Sequence, residues 1–181
     1  MGNMEKIRVM GIDPSLRNSG VAIVEYNAEL PINDPESFKV CHCQVLTNPQ
    51  KYTGTNAIMN MLDMLQDCAK QECYQKADDI IIESPAVIFN QAWSAGAIVP
   101  VAHIAGGAAV IFGLEKIKLF RPNEWNATKK KIVTHTNMLN FFGDADKWHY
   151  ETRVKSERFM EHIFDAVSMA WWWIKKNYGE E

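Results

Sequence analysis

Two apolar, strand-like runs in this chain each end in a carboxylate, and this feature constrains the fold more than any other. The first lies in Ile7-Arg8-Val9-Met10-Gly11-Ile12-Asp13-Pro14-Ser15-Leu16-Arg17-Asn18-Ser19-Gly20-Val21-Ala22-Ile23-Val24. It predicts a strand, a tight turn punctuated by Pro14 and Gly20, and a second strand. Asp is a poor strand former, so Asp13 at the end of a buried strand needs a reason. Either it initiates the Asp-Pro-Ser bend, or it is a metal ligand fixed on a rigid sheet. The second run, Ile80-Ile81-Ile82-Glu83, has the unbroken apolar pattern of a central strand covered on both faces.

The remaining elements follow from periodicity. Ser37 to Leu46 alternates as a third strand, so the first three strands form an antiparallel meander. Thr53 to Gln75 carries Ile58, Met61, Leu62, Leu65 and Cys68/Ala69 at helical spacing, with Thr53 or Thr55 as N-cap. A buried helix starting near Pro100 is expected from the small apolar residues between Asn90 and Leu114, where Pro100, His103 and four glycines argue against a membrane span. Its glycines and alanines permit close approach of another helix or a second subunit. Lys116 to Phe120 reads as a further strand. A helix runs from Thr128 to Phe142 with Gly143 as its stop, and the last helix runs from Ser156 to Tyr178.

At 181 residues, with 47% hydrophobic and 23% charged residues, the chain suits one globular domain over residues 1–181. A net charge of −3 gives no global basic signal, so nucleic-acid binding would need a local patch. Lys129, Lys130 and Lys131 lie in a first helical turn, where the helix dipole disfavours cations. They are either a solvated face or, with Lys116, Lys118 and Arg121, a phosphate-contacting patch. Cys41, Cys43, Cys68 and Cys73, with no signal-like N-terminus, suit free thiols in a reducing intracellular compartment. Cys41-His42-Cys43 invites a zinc reading, but strand alternation puts Cys41 and Cys43 on one face and His42 on the other, as buried small side chains.

The last helix is apolar almost all round from Phe159 to Ile174, yet Asp165 lies in its middle, with His162 one turn earlier on the same face. A lone ionised Asp there would cost several kcal/mol, on the order of the penalty for any unpaired buried charge. The helix offers only His162 on that face, so a bound metal is an economical partner. Asp13, Glu83 and Asp165 from three apolar elements are what a hard divalent ion requires. A second cluster, Asp144, Asp146, His149 and Glu151, has ligand-type residues but sits in a polar loop without a scaffold.

Gly11-Ile12-Asp13-Pro14-Ser15-Leu16-Arg17-Asn18-Ser19-Gly20, Ile81-Ile82-Glu83 and His162-Ile163-Phe164-Asp165-Ala166 together closely resemble the RuvC-type Holliday junction resolvases of the RNase H-like superfamily. The resemblance spans essentially the whole chain. It implies an α/β, RNase H-like fold: a mixed five-stranded sheet, antiparallel in its first three strands and flanked by helices. It also implies that Asp13, Glu83, His162 and Asp165 are catalytic and bind two Mg²⁺ ions, with Mn²⁺ as a substitute. His162 stands where some members have Asp, and imidazole is softer than Mg²⁺ prefers. Ser15 stands where members often have Gly. Branched DNA, a four-way junction, is the implied partner. Arg17, Phe89, Lys116, Lys118, Arg121 and Lys129 to Lys131 are expected at the DNA, and Phe89 or Trp93 at the junction centre. A homodimer through the 96–111 helix, with no membrane association, is also implied. Rival readings keep the nuclease but change its substrate to flaps or hybrids, or make the chain a junction-binding protein with an idle site. An actin-like nucleotide-binding fold would need a second lobe for which this chain is too short.

Overall fold

The computed structural model describes residues 6–85, 95–126, 131–143 and 157–179, with side-chain detail excluding 95–97, 126, 131–132 and 157–159. Five strands form one sheet: β1 (Lys6–Asp13), β2 (Asn18–Asn27), β3 (Phe38–Thr47), β4 (Asp79–Glu83) and β5 (Ile117–Phe120). Their order is β3-β2-β1-β4-β5, with β1/β2 and β2/β3 antiparallel and β1/β4 and β4/β5 parallel. The first three strands are therefore the expected meander. β4 lies beside β1 because its Ile80, Ile81 and Ile82 are all fully buried and need cover on both faces.

Helices cover both faces. On one, α1 (Gly54–Ala69) and α3 (Ala95–Phe112) bury Met61, Leu65, Ile104 and Ala108 against Met10, Ile12, Ile23, Ile80 and Ile82. On the other, α5 (Lys131–Phe142) and α6 (Glu157–Tyr178) bury Met138, Ile163, Ala166, Val167, Ala170 and Ile174 against Val9, Val24 and Ile81. Two short helices complete the set, α2 (Glu72–Gln75) and α4 (Pro122–Asn126).

Four local expectations are corrected. Gly20 is a strand residue paired with Asp13 and not part of the turn, which spans only residues 14–17. The helix expected over Thr53 to Gln75 breaks at Gln71, whose extended backbone (ψ 136°) starts α2 and lets Tyr74 turn inward, where its hydroxyl oxygen accepts from Gln44 Nε2 at 2.7 Å. Thr53 caps α1 by position without a side-chain hydrogen bond. Helix α3 starts at Ala95, not near Pro100. Pro100 removes one ladder bond, aimed at Gly96, close to an end where few bonds are at stake.

The fourth correction concerns Cys41-His42-Cys43. Ile23 pairs with His42 and Val24 with Val40, so Cys41 is the extra residue of a β-bulge. The bulge breaks the alternation: Cys41 packs with the α1/α3 side, His42 lies edge-on to Tyr74 at 5.1 Å on that same side, and Cys43 packs with the α6 side. All four cysteines are free thiols, and burial pushes the Cys43 thiol up to about 12.

Two glycines set the distance between α6 and the sheet. A Cβ on Gly11 would stand 1.9 Å from the carbonyl oxygen of Ala166, and one on Gly20 would stand 2.0 Å from that of His162. Both clashes are with backbone, so no side-chain rotation relieves them.

Gly11→Ala is therefore expected to lose about 2–3 kcal/mol of stability in urea unfolding, the cost of overpacking a rigid contact. Burial pushes the Glu25 carboxyl up, but hydrogen bonds from Lys6 and Arg8 overcome it and hold the group below its ordinary value. A depressed carboxylate stabilises the fold above its unfolded-state pKa, and that contribution is lost as pH falls through the folded value. In urea melts from about pH 3 to 7, stability should rise more steeply with pH in the wild type than in Glu25→Gln.

Candidate active site

Asp13 and Glu83 end adjacent parallel strands. Ile12 pairs with Ile82, so the next residue on each strand is a carboxylate, and alternation turns both towards the α6 side. The backbone leaves Asp13 through a closed turn: the Ser15 N–H donates to Ser19 Oγ (2.9 Å), and the Ser19 hydroxyl donates to Ser15 O (2.9 Å). Ser15 serves this turn through its backbone and through its hydroxyl oxygen, which accepts from the Arg17 N–H at 3.4 Å, and Ser19 is fully buried.

Helix α6 brings the other two residues. With its backbone seated on Gly11 and Gly20, His162 places Nδ1 2.6 Å from Asp13 Oδ2. Asp165, one turn further on, is 2% exposed, and its Oδ1 lies 2.8 Å from His135 Nε2. Of the expected residues, His162 is thus brought into contact with Asp13, Glu83 ends the strand beside it, and Asp165 lies one helical turn beyond His162, in contact with His135. Asp165 also meets a ring from another helix, His135 of α5.

Each of the three acids is held by a ring nitrogen. Besides the two histidine contacts, Trp125 Nε1–H donates to Glu83 Oε2 at 3.0 Å. His135 is 9% exposed and Trp125 is 4% exposed. These are the site residues that sequence reasoning missed. The local signal was weak in both: Trp125 is a lone aromatic in a polar run just after the predicted strand, and His135 stands between Thr134 and Thr136. The tertiary pairing that gives them meaning had no trace in local spacing.

Among the described residues, no three His, Cys, Asp or Glu side chains stand together as a metal-holding group. The acids are engaged in pairs with rings. The donor chemistry of the locality still suits hard divalent ions: three carboxylates, two of them 10% exposed or less, and one imidazole.

The expected DNA contacts divide. Arg121 follows Phe120, the residue paired with Glu83, so it stands at the site end of the sheet and is exposed. Lys118 pairs with Ile81, two residues back along the strand from the Phe120–Glu83 pair. Lys116 lies at the opposite end, where its Nζ donates to Ala77 O at 2.8 Å, so it is a structural strut remote from the acids. Arg17 is near the site turn, but its Nη1 donates to Pro49 O (3.2 Å) and Tyr52 O (2.9 Å), tying the turn to the β3–α1 loop. Phe89, Trp93, Lys129 and Lys130, the side chain of Lys131, and the Asp144, Asp146, His149 and Glu151 cluster lie outside the described residues.

Similarity to solved structures covers the whole architecture. Thermus thermophilus RuvC in complex with a Holliday junction substrate superposes with a TM-score of 0.65 at 12% identity, over 96% of this chain and 99% of that one. The fold is that of RuvC. A second Thermus thermophilus RuvC structure gives 0.60 at 15% identity, over 92% of both chains. The yeast mitochondrial Holliday junction resolvase Ydc2 gives 0.56 at 15% identity, over 93% of this chain and 78% of that one. No family model and no curated relative matches the sequence. The RuvC-like fold is thus shared where little of the sequence is.

Replacing His162 by Leu removes the ring partner of a buried carboxylate, and should cost about 1–3 kcal/mol in urea unfolding. The Asp13→Asn/His162→Leu double variant should lose clearly less than the sum of the two single losses, because the two side chains are in contact.

Proposed function

We propose that this chain is a metal-dependent, structure-selective endonuclease that resolves four-way DNA junctions by paired, symmetric nicks. The observation that carries the reading is the contact of His162 with Asp13 at the carboxyl end of β1, beside Glu83 at the end of parallel β4, within a fold that spans 99% of the length of a RuvC seen on its junction substrate. Asp13, Glu83, Asp165 and His162 would hold two Mg²⁺ ions, or Mn²⁺ in their place. When bound, these ions supply the positive charge that activates water and stabilises the leaving oxygen in phosphodiester hydrolysis.

The chain's own residues set the stage for that chemistry. Asp13 and Glu83 are fixed by strands buried on both faces, so their backbone positions are rigid. His162 holds Asp13 in one orientation and is itself placed by the Gly20 contact. Arg121, exposed at the same end, is the described cation best placed for a DNA phosphate. Lys118 is a second, and Arg17 can reach DNA only through guanidinium nitrogens other than Nη1.

Symmetric cutting needs two sites, and α3 supports a homodimer. One face of α3 packs on α1, so closely that a Cβ on Gly107 would meet Leu62 Cδ2 at 2.4 Å. The other face leaves Val99, Ala102, His103, Gly106 and Val110 exposed in a stripe, with Val99 at 47% and Val110 at 71%. No described residue lies within 4 Å of the position a Cβ would take on Gly106. An apolar stripe of this kind suits a second copy of the same helix. No helix among the described residues is long and apolar enough to cross a membrane.

On a labelled four-way junction with Mg²⁺, Asp13→Asn should keep binding and lose at least about 100-fold in cleavage rate. Cleavage at the wild-type rate would remove Asp13 from the site, and equal cleavage of a linear duplex would remove junction selectivity. Gly106→Trp should fold normally but sediment as a monomer and make single nicks in place of paired ones.

A further inference from the structure

We infer that His135 and Trp125 are positioning residues that orient Asp165 and Glu83 for divalent-ion binding, an inference that rests on the metal-dependent reading above. Both rings are buried, and each places a nitrogen on one named carboxylate oxygen, His135 Nε2 at 2.8 Å from Asp165 Oδ1 and Trp125 Nε1 at 3.0 Å from Glu83 Oε2. Neither belongs to a strand or helix that carries Asp13, Glu83 or Asp165. They arrive from α4 and α5, the elements that follow β5.

The donors are themselves held. His135 packs edge-on against Phe164, with ring centroids 5.4 Å apart at 65°, so the residue preceding Asp165 grips the ring that bonds Asp165. Further along α5, Met138 is fully buried, and Phe141 and Phe142 lie against Trp171 at 4.9 and 5.8 Å. Helix α4 is bound to the site strand through its entry: the Ser84 N–H donates to Phe120 O (2.8 Å), and the Arg121 N–H donates to Glu124 Oε2 (2.7 Å). Rings locked by packing carry little rotamer freedom to lose. A bond from such a ring fixes the carboxylate torsion, so an arriving ion meets an acid already aimed.

Removal of such an orienting partner typically weakens metal affinity by about 10–100-fold. The test measures Mn²⁺ binding to the free protein by electron paramagnetic resonance, with urea stability and junction binding in EDTA recorded alongside. His135→Leu and Trp125→Phe should each weaken Mn²⁺ affinity about tenfold or more. Junction binding in EDTA should not change. His135→Gln, whose amide can reach the same oxygen, should recover most of the affinity. At saturating Mn²⁺, cleavage by the variants should return towards the wild-type rate, which a general loss of structure would not allow. If His135→Leu does not fold, Trp125→Phe, which keeps a buried ring, decides the question. Unchanged or tighter Mn²⁺ binding in the folded variants overturns the positioning role. A wild type that binds no Mn²⁺ overturns the metal-dependent reading and this inference with it.

Discussion

The contact on which the site depends is backbone against backbone: α6 rests on Gly11 and Gly20, with the carbonyls of Ala166 and His162 closer to the sheet than any side chain would permit. Helices and sheets ordinarily stay apart because side chains lie between them. Removing Cβ at two paired-strand positions lets the helix descend, and the descent brings an imidazole from residue 162 within 2.6 Å of a carboxylate at residue 13. Hydrophobic burial drives the packing, through Ile163, Val167, Ala170 and Ile174 below the site. The glycines decide how close it comes.

Around that contact the molecule solves an electrostatic problem. Three acids are drawn into a partly water-excluded region, where unpaired charge is expensive. Each is met by a ring that combines an apolar body with one polar edge: His162, Trp125 and His135. Rings of this kind can be buried like core residues and still supply a hydrogen bond. Each of these three bonds holds an acid in place through a ring nitrogen.

Where residue patterns misled, a neighbour in space had overridden a local rule. Strand alternation put Cys41 and Cys43 together, but a one-residue bulge opposite Ile23 and Val24 separated them. Pro100 looked like a helix start, yet α3 begins at Ala95 and runs through it, because a proline near a helix start removes only one ladder bond. The run from Thr53 to Gln75 looked like one helix, but the buried bond between Gln44 and Tyr74 rewards a break at Gln71. Lys116 and Arg17 looked available for phosphates, and backbone carbonyls across the fold claim their donors.

Local order in the chain was enough to place the three-strand meander, the buried fourth strand, the long final helix and the four polar residues that end or interrupt apolar runs. Those features are legible because burial imposes a period on hydrophobic residues, and an acid inside such a run is an exception that can be seen. Tertiary structure alone decided which ring serves which acid. Asp165 takes its partner from thirty residues upstream and Glu83 from forty-two downstream, distances at which no sequence period carries information. Only the packing of α4 and α5 beside the sheet brings those atoms within hydrogen-bonding range.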